Sequence, residues 1–183
     1  VVDDAFNPHA VGELEPRLRD LATKVIDDAL AANDGEMDLV STVAYPFPII
    51  VIAELLGVPT EDRAQFKEWS DSLVAAASDD ESGGDVMQRQ EESQREMAFY
   101  FLELIEERRE SPRDDLISTI ATTELSNGET LPQREALGMC MLLLIAGNIT
   151  TTNLITNAMR CFGERPETMT ELRQGDLPFE TTI

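Results

Sequence analysis

Apolar residues recur at intervals of three and four along most of the chain, the period of helices that bury one face. After Asn7-Pro8, the residues Val11, Leu14, Leu18, Leu21, Val25 and Ile26 keep this spacing up to Leu30, and Asn33-Asp34-Gly35 stops the helix. Met37 to Val40 reads as one short extended strand. Tyr45 to Gly57 is apolar nearly all round, so it is expected to be a buried helix that starts at Pro46 or Pro48 and ends at Gly57. Pro59-Thr60-Glu61-Asp62 opens the next helix, with Thr60 as its expected N-cap and Phe66, Trp69, Leu73 and Val74 on one face. Gly83-Gly84 and the surrounding acids make Ser78 to Asp85 a loop. A long helix follows from about Val86 to Glu110, with Met97, Phe101, Leu104 and Ile105 inward. Ser111-Pro112 begins a shorter one, through Leu116, Ile117 and Ile120 to Leu125, and Asn127-Gly128 turns the chain.

The dominant element comes next. Thr130 and Gln133 have the spacing of a capping box, with Pro132 in the first turn where its missing N–H costs little. No breaker follows until about Gly163, which allows a helix of ~50 Å at 1.5 Å per residue. Leu137 to Ala146 is apolar on every side and is expected inside the protein. A last helix follows Pro166, through Met169 and Leu172, and stops at Gly175. The pattern predicts an all-α protein, about eight helices around one long central helix.

Polar and small residues interrupt that central helix: Gly147-Asn148-Ile149-Thr150-Thr151-Thr152-Asn153. Gly and Thr are poor helix formers, so their presence mid-helix needs a cause. A threonine hydroxyl can bond back to the carbonyl one turn earlier and loosen the ladder. Thr150 would reach Ala146, and bare Gly147 would leave room for a flat or diatomic ligand. The simpler alternative is that small residues let another helix cross closely.

Composition narrows the function classes. Fourteen Lys and Arg oppose 36 Asp and Glu, a net charge of −22, which disfavours nucleic acid and anionic lipid as partners. The same excess suggests salt adaptation. On that reading, thermal unfolding shifts upward between low and molar salt, and a melting curve unmoved by salt would rule it out. The acids at Asp3 and Asp4 do not suit a signal peptide, and the apolar run Ala136 to Gly147 is too short to span a bilayer. A cytoplasmic, reduced setting follows as the default. Cys140 and Cys161 lack zinc-site spacing, and the single histidine, His9, sits in a turn as an expected surface residue, so no metal site is expected on the chain itself.

Taken together, five phrases in order resemble the cytochrome P450 family of soluble bacterial type. Ala146 to Ile155 resembles the oxygen-binding motif of that family's long helix. Ala5-Phe6-Asn7-Pro8 with Leu14-Glu15-Pro16-Arg17, Glu54-Leu55-Leu56-Gly57-Val58-Pro59, Arg113-Asp114-Asp115-Leu116-Ile117-Ser118 and Arg165-Pro166-Glu167 are similar to phrases flanking it. The resemblance covers essentially all of residues 1–183, as one partial domain truncated at both ends, before the haem-ligand cysteine region. It implies a haem-thiolate monooxygenase that inserts one oxygen atom of dioxygen into a small apolar organic substrate. Its cofactor would be haem b, with electrons from NAD(P)H through a ferredoxin-type partner.

Carried over by match, Thr150 resembles the family's catalytic alcohol. Ala146, Gly147 and Thr151 resemble the oxygen-groove residues, and Leu142 and Ile145 resemble positions facing haem and substrate. The stretch from Trp69 to Ala76 and the helix after it resemble the mobile lid. One position departs: Ile149 stands where the family carries an acid. The piece alone is expected to be inactive, and the alternative is a non-catalytic helical ligand-binding or interaction module derived from the family.

Overall fold

The computed structural model describes residues 8–32, 36–77, 84–125 and 128–175. They form seven α-helices: α1 Pro8–Ala32, α2 Pro46–Leu56, α3 Arg63–Ala77, α4 Gly84–Glu110, α5 Leu116–Thr122, α6 Gln133–Glu164 and α7 Pro166–Gln174. A π turn, Val40–Ala44, and a 3-10 turn, Thr60–Asp62, complete the helical elements. Pairing between extended residues among them is limited to one isolated antiparallel bridge, Glu124 to Thr130. The all-α expectation holds. The stop at Asn33-Asp34-Gly35, most of the Ser78 to Asp85 loop, Asn127 and the first phrase before Pro8 lie outside the described residues.

Local physics explains where the elements depart from the periodicity. No strand forms at Met37 to Val40, because Asp38 accepts a hydrogen bond from the Ser41 backbone N–H at 3.0 Å and starts a helical turn there. That turn closes as a π turn, with the Tyr45 N–H donating to the Val40 carbonyl at 2.9 Å. Thr60 is not an N-cap: it is the first residue of the 3-10 turn, behind Pro59. Helix α5 starts at Leu116 rather than Ser111, because Asp115 caps it by accepting from the Ser118 N–H at 2.7 Å. The Thr130–Gln133 capping box also does not form. Thr130 is engaged in the bridge to Glu124 across a turn with Gly128 at φ +79°, and α6 begins directly after Pro132.

Helix α2 packs on α6, α3 on α4, and α4 on α5. Phe66 of α3 meets Phe101 of α4 edge to face, with ring centres 6.0 Å apart, beside buried Leu56, Met97, Ile105, Ile117, Ile120 and Leu144. Three further bonds hold α3 and its 3-10 lead-in to α4. Trp69 donates to Glu96 at 3.2 Å, Ser72 to Ser93 at 3.2 Å, and Tyr100 to Asp62 at 2.7 Å. Helices α3 and α4, the expected lid, are therefore fastened to each other at several points.

A buried charge joins the ends of three helices. Arg108, on the last turn of α4, is fully buried, and its Nε donates to Asp115 at 2.7 Å while Nη2 donates to the Gly57 carbonyl at 3.3 Å. Its Nη1 lies 2.9 Å from Glu107 but off the line of a hydrogen bond. Gly57, the C-cap of α2, stands at φ +79° with no space for a β-carbon beside Asp115. The chain thus returns α2, α4 and α5 to one point beneath the core.

Candidate oxygen-side helix

Helix α6 has two apolar sides, and the chain covers one of them. Ala136, Cys140, Leu144 and Asn148, four residues apart, are buried against the other helices. On the opposite side Leu142 is 58% exposed, Ile145 41% and Leu154 53%, with Ala146 and Thr150 exposed between them. The expectation that Leu137 to Ala146 is interior on every side is therefore corrected. An all-round apolar helix with one bare flank presents that flank to something else.

The expected threonine contact is present: the Thr150 hydroxyl donates to the Ala146 carbonyl at 2.5 Å. Helix α6 nonetheless runs without interruption from Gln133 to Glu164, so the back-bond does not divide it. Because this hydroxyl spends its proton on Ala146, its oxygen is left to other partners only as an acceptor. Ile149 and Thr151 are half-buried beside it. A methyl group placed on Gly147 would meet only Ile52 Cδ1, at 4.0 Å, which is ordinary contact. Close crossing by α2 therefore does not require glycine at this position. Gly147 faces Ile52 of α2, on the packed side of α6 and not on the open flank.

Cys140 is not set up as a thiolate. Burial pushes the Cys140 thiol up to about 12, and Cys161 is exposed without a pairing partner of its own kind. His9 is exposed and lies 3.7 Å from Glu13 one turn on, as expected of a surface residue. Among the described residues no group of three metal-binding side chains comes together. An open cleft of about 610 Å³ lies elsewhere, between α1, α2 and α5, lined by Leu14, Leu18, Leu21, Val51 and the Arg17–Glu54 pair. No α6 residue lines it.

No protein-family model matches the chain. Curated and solved proteins do. The monooxygenase PikC of Streptomyces venezuelae, a cytochrome P450, is 38% identical over 168 residues, covering 92% of this chain and 38% of PikC. A ligand-free cytochrome P450 structure, TbtJ1, superposes with a TM-score of 0.84 at 38% identity, over 94% of this chain and 44% of that one. The chain belongs to the cytochrome P450 family. A third P450, CYP109E1 of Bacillus megaterium, was solved in complex with testosterone; it aligns with a TM-score of 0.81 at 36% identity, over 94% of this chain and 45% of that one. The chain thus spans about two fifths of the length of the P450 relatives it matches.

Among the described residues α6 is long and apolar enough to cross a membrane by length and composition. The expectation drawn from the shorter apolar run missed this, because it counted an unbroken run instead of the whole helix.

Two polar features escaped the sequence reading. Arg108 looks like a solvent-face residue in a helix rich in Glu and Arg, and only its i,i+7 relation to Asp115 across a proline turn hints otherwise. Asn148, inside the quoted motif, is only 2% exposed and faces the core instead of the open flank.

Proposed function

We propose that the protein containing this chain is a haem-thiolate monooxygenase that inserts one atom of dioxygen into a small or medium apolar organic substrate. The observation that carries this reading is the open flank of α6, where Thr150, fixed on the Ala146 carbonyl, stands among Leu142, Ile145 and Ala146. Such a flank suits the flat apolar face of haem b, with one anchored hydroxyl oxygen at its edge. The likeness to PikC, named a monooxygenase, and to CYP109E1, solved with testosterone, supports the reaction and substrate class.

Haem bound through a cysteine other than Cys140 and Cys161 would supply the activation of dioxygen. The chain's own part is narrower. With the flank covered, Leu142 and Ile145 would exclude bulk water and favour apolar substrate. Thr150 would accept a hydrogen bond from water on the flank. To pass a proton on, its hydroxyl must leave Ala146 and be resupplied from water, because aliphatic Ile149 can relay nothing. Electrons from NAD(P)H would arrive through a ferredoxin-type partner in a cytoplasmic setting. The net charge of −22 then requires a local basic patch wherever an acidic ferredoxin docks.

The test uses the complete protein. Reduced under carbon monoxide, it is expected to show the absorbance band of thiolate-ligated haem, and Thr150→Val is expected to cut product formed per electron by about tenfold or more. A missing band, or product yield untouched by Thr150→Val, favours the second reading: a non-catalytic binding module, for which Ile149 is the specific argument. The departure at Ile149 makes its own prediction. Ile149→Glu should raise the share of electrons recovered as product, and an unchanged share would show that the acid is not missed.

A further inference from the structure

The third threonine of the Thr150-Thr151-Thr152 run has a different task from the first. Pro48 has no N–H, so the Ala44 carbonyl, four residues earlier and fully buried, is deprived of its ordinary helical donor. Thr152 of α6 fills the gap: its hydroxyl lies 3.1 Å from the Ala44 carbonyl and 3.3 Å from the Asn148 Oδ1. A buried carbonyl without a donor is costly, so this contact has one favoured rotation of α6.

The polar line continues outward from Asn148. Beside it the Tyr45 hydroxyl donates to Asp71 of α3 at 2.7 Å, and Lys67 donates to the same carboxylate at 2.9 Å. Apolar contacts along α6 tolerate small rotations; a chain of directed hydrogen bonds does not. Thr150 is two residues from both Asn148 and Thr152, about 200° around the helix. Whatever fixes the back of α6 therefore fixes where the Thr150 hydroxyl points.

We infer that Thr152 and Asn148 are positioning residues that hold Thr150 toward the open flank, by anchoring α6 to the Ala44 carbonyl that Pro48 leaves without a donor. The inference rests on the monooxygenase reading for its catalytic consequence, though not for the anchoring itself.

Three variants of the complete, haem-loaded protein test it: Thr152→Val, which keeps shape and removes the hydroxyl, Thr152→Ser, which restores it, and Ile120→Val, a methyl deletion in the core on α5 as a stability control. Thermal unfolding, the share of electrons recovered as product, and amide hydrogen exchange at Ala146 to Thr150 are compared. Thr152→Val and Ile120→Val are both expected to lower the unfolding temperature. Only Thr152→Val should lower the product share, by about threefold or more, and speed exchange at Ala146 to Thr150, with Thr152→Ser close to the parent. A product share in Thr152→Val equal to that in Ile120→Val reduces Thr152 to a structural residue and overturns the inference. Exchange at Ala146 to Thr150 unmoved by Thr152→Val overturns it as well, and that arm holds even if the protein makes no product. An absence of product in every variant, with exchange altered as expected, removes the monooxygenase reading and leaves the anchoring in place.

Discussion

Replacing Asp115 with alanine is expected to lower the unfolding free energy by about 3–5 kcal/mol, the range for removing one partner of a buried ion pair. Arg108 is fully buried and the Asp115 side chain is only 5% exposed, so water cannot take the place of the lost carboxylate. The remaining contacts are weaker substitutes: the Gly57 carbonyl at 3.3 Å, and Glu107, which is 45% exposed and is also ion-paired with Arg113. Asp115 also caps α5 through the Ser118 N–H, so alanine removes a cap together with the counter-ion. Urea unfolding of the parent and variant reads the difference. A loss under about 1 kcal/mol would mean that Arg108 finds solvent or another partner.

Gly57→Ala is expected to be nearly as damaging, at about 3 kcal/mol or more, from left-handed backbone strain and overpacking together. Gly57 sits at φ +79°, and a methyl group there would fall 2.2 Å from Asp115 Oδ2 and 2.6 Å from Asp115 Cβ. Either the carboxylate leaves Arg108 or α2 leaves α5. The Cβ distance sharpens the prediction. Asp115→Ala keeps that carbon, so Gly57→Ala should remain costly in an Asp115→Ala background, and only glycine at position 115 should relieve the clash. The double-mutant cycle is measured by the same urea unfolding. Full rescue by Asp115→Ala would show that the clash is with the carboxylate alone.

The helices were legible because their apolar spacing is a local signal: α2 from its proline start to Gly57, α4 through Met97, Phe101 and Ile105, and α6 through thirty residues without a breaker. Caps were less legible. Thr60 and Thr130 have good capping chemistry, but a proline in the neighbouring position and a short bridge to Glu124 decided their conformations. The strand expected before Val40 failed for a similar reason, since one Asp38 side chain outweighed the extended preference of valine.

At the candidate site, the Thr150 back-bond followed from residue type and spacing. Which side of α6 the chain would leave bare did not, because an all-round apolar sequence carries no facing information. Asn148 and Thr152 were hidden for another reason. Thr152 meets a backbone carbonyl about a hundred residues away, which only the proline at position 48 marks as needing a donor, and Asn148 meets Thr152.

The bare flank of α6 is also expected to shape how this chain, taken by itself, behaves among its own copies. Thirty-six acids keep molecules apart at long range, while a strip of leucine and isoleucine draws them together once they touch. Dissolved salt weakens the first influence and leaves the second intact, so an ionic strength that calms the crowded acids of one molecule also lets two molecules meet.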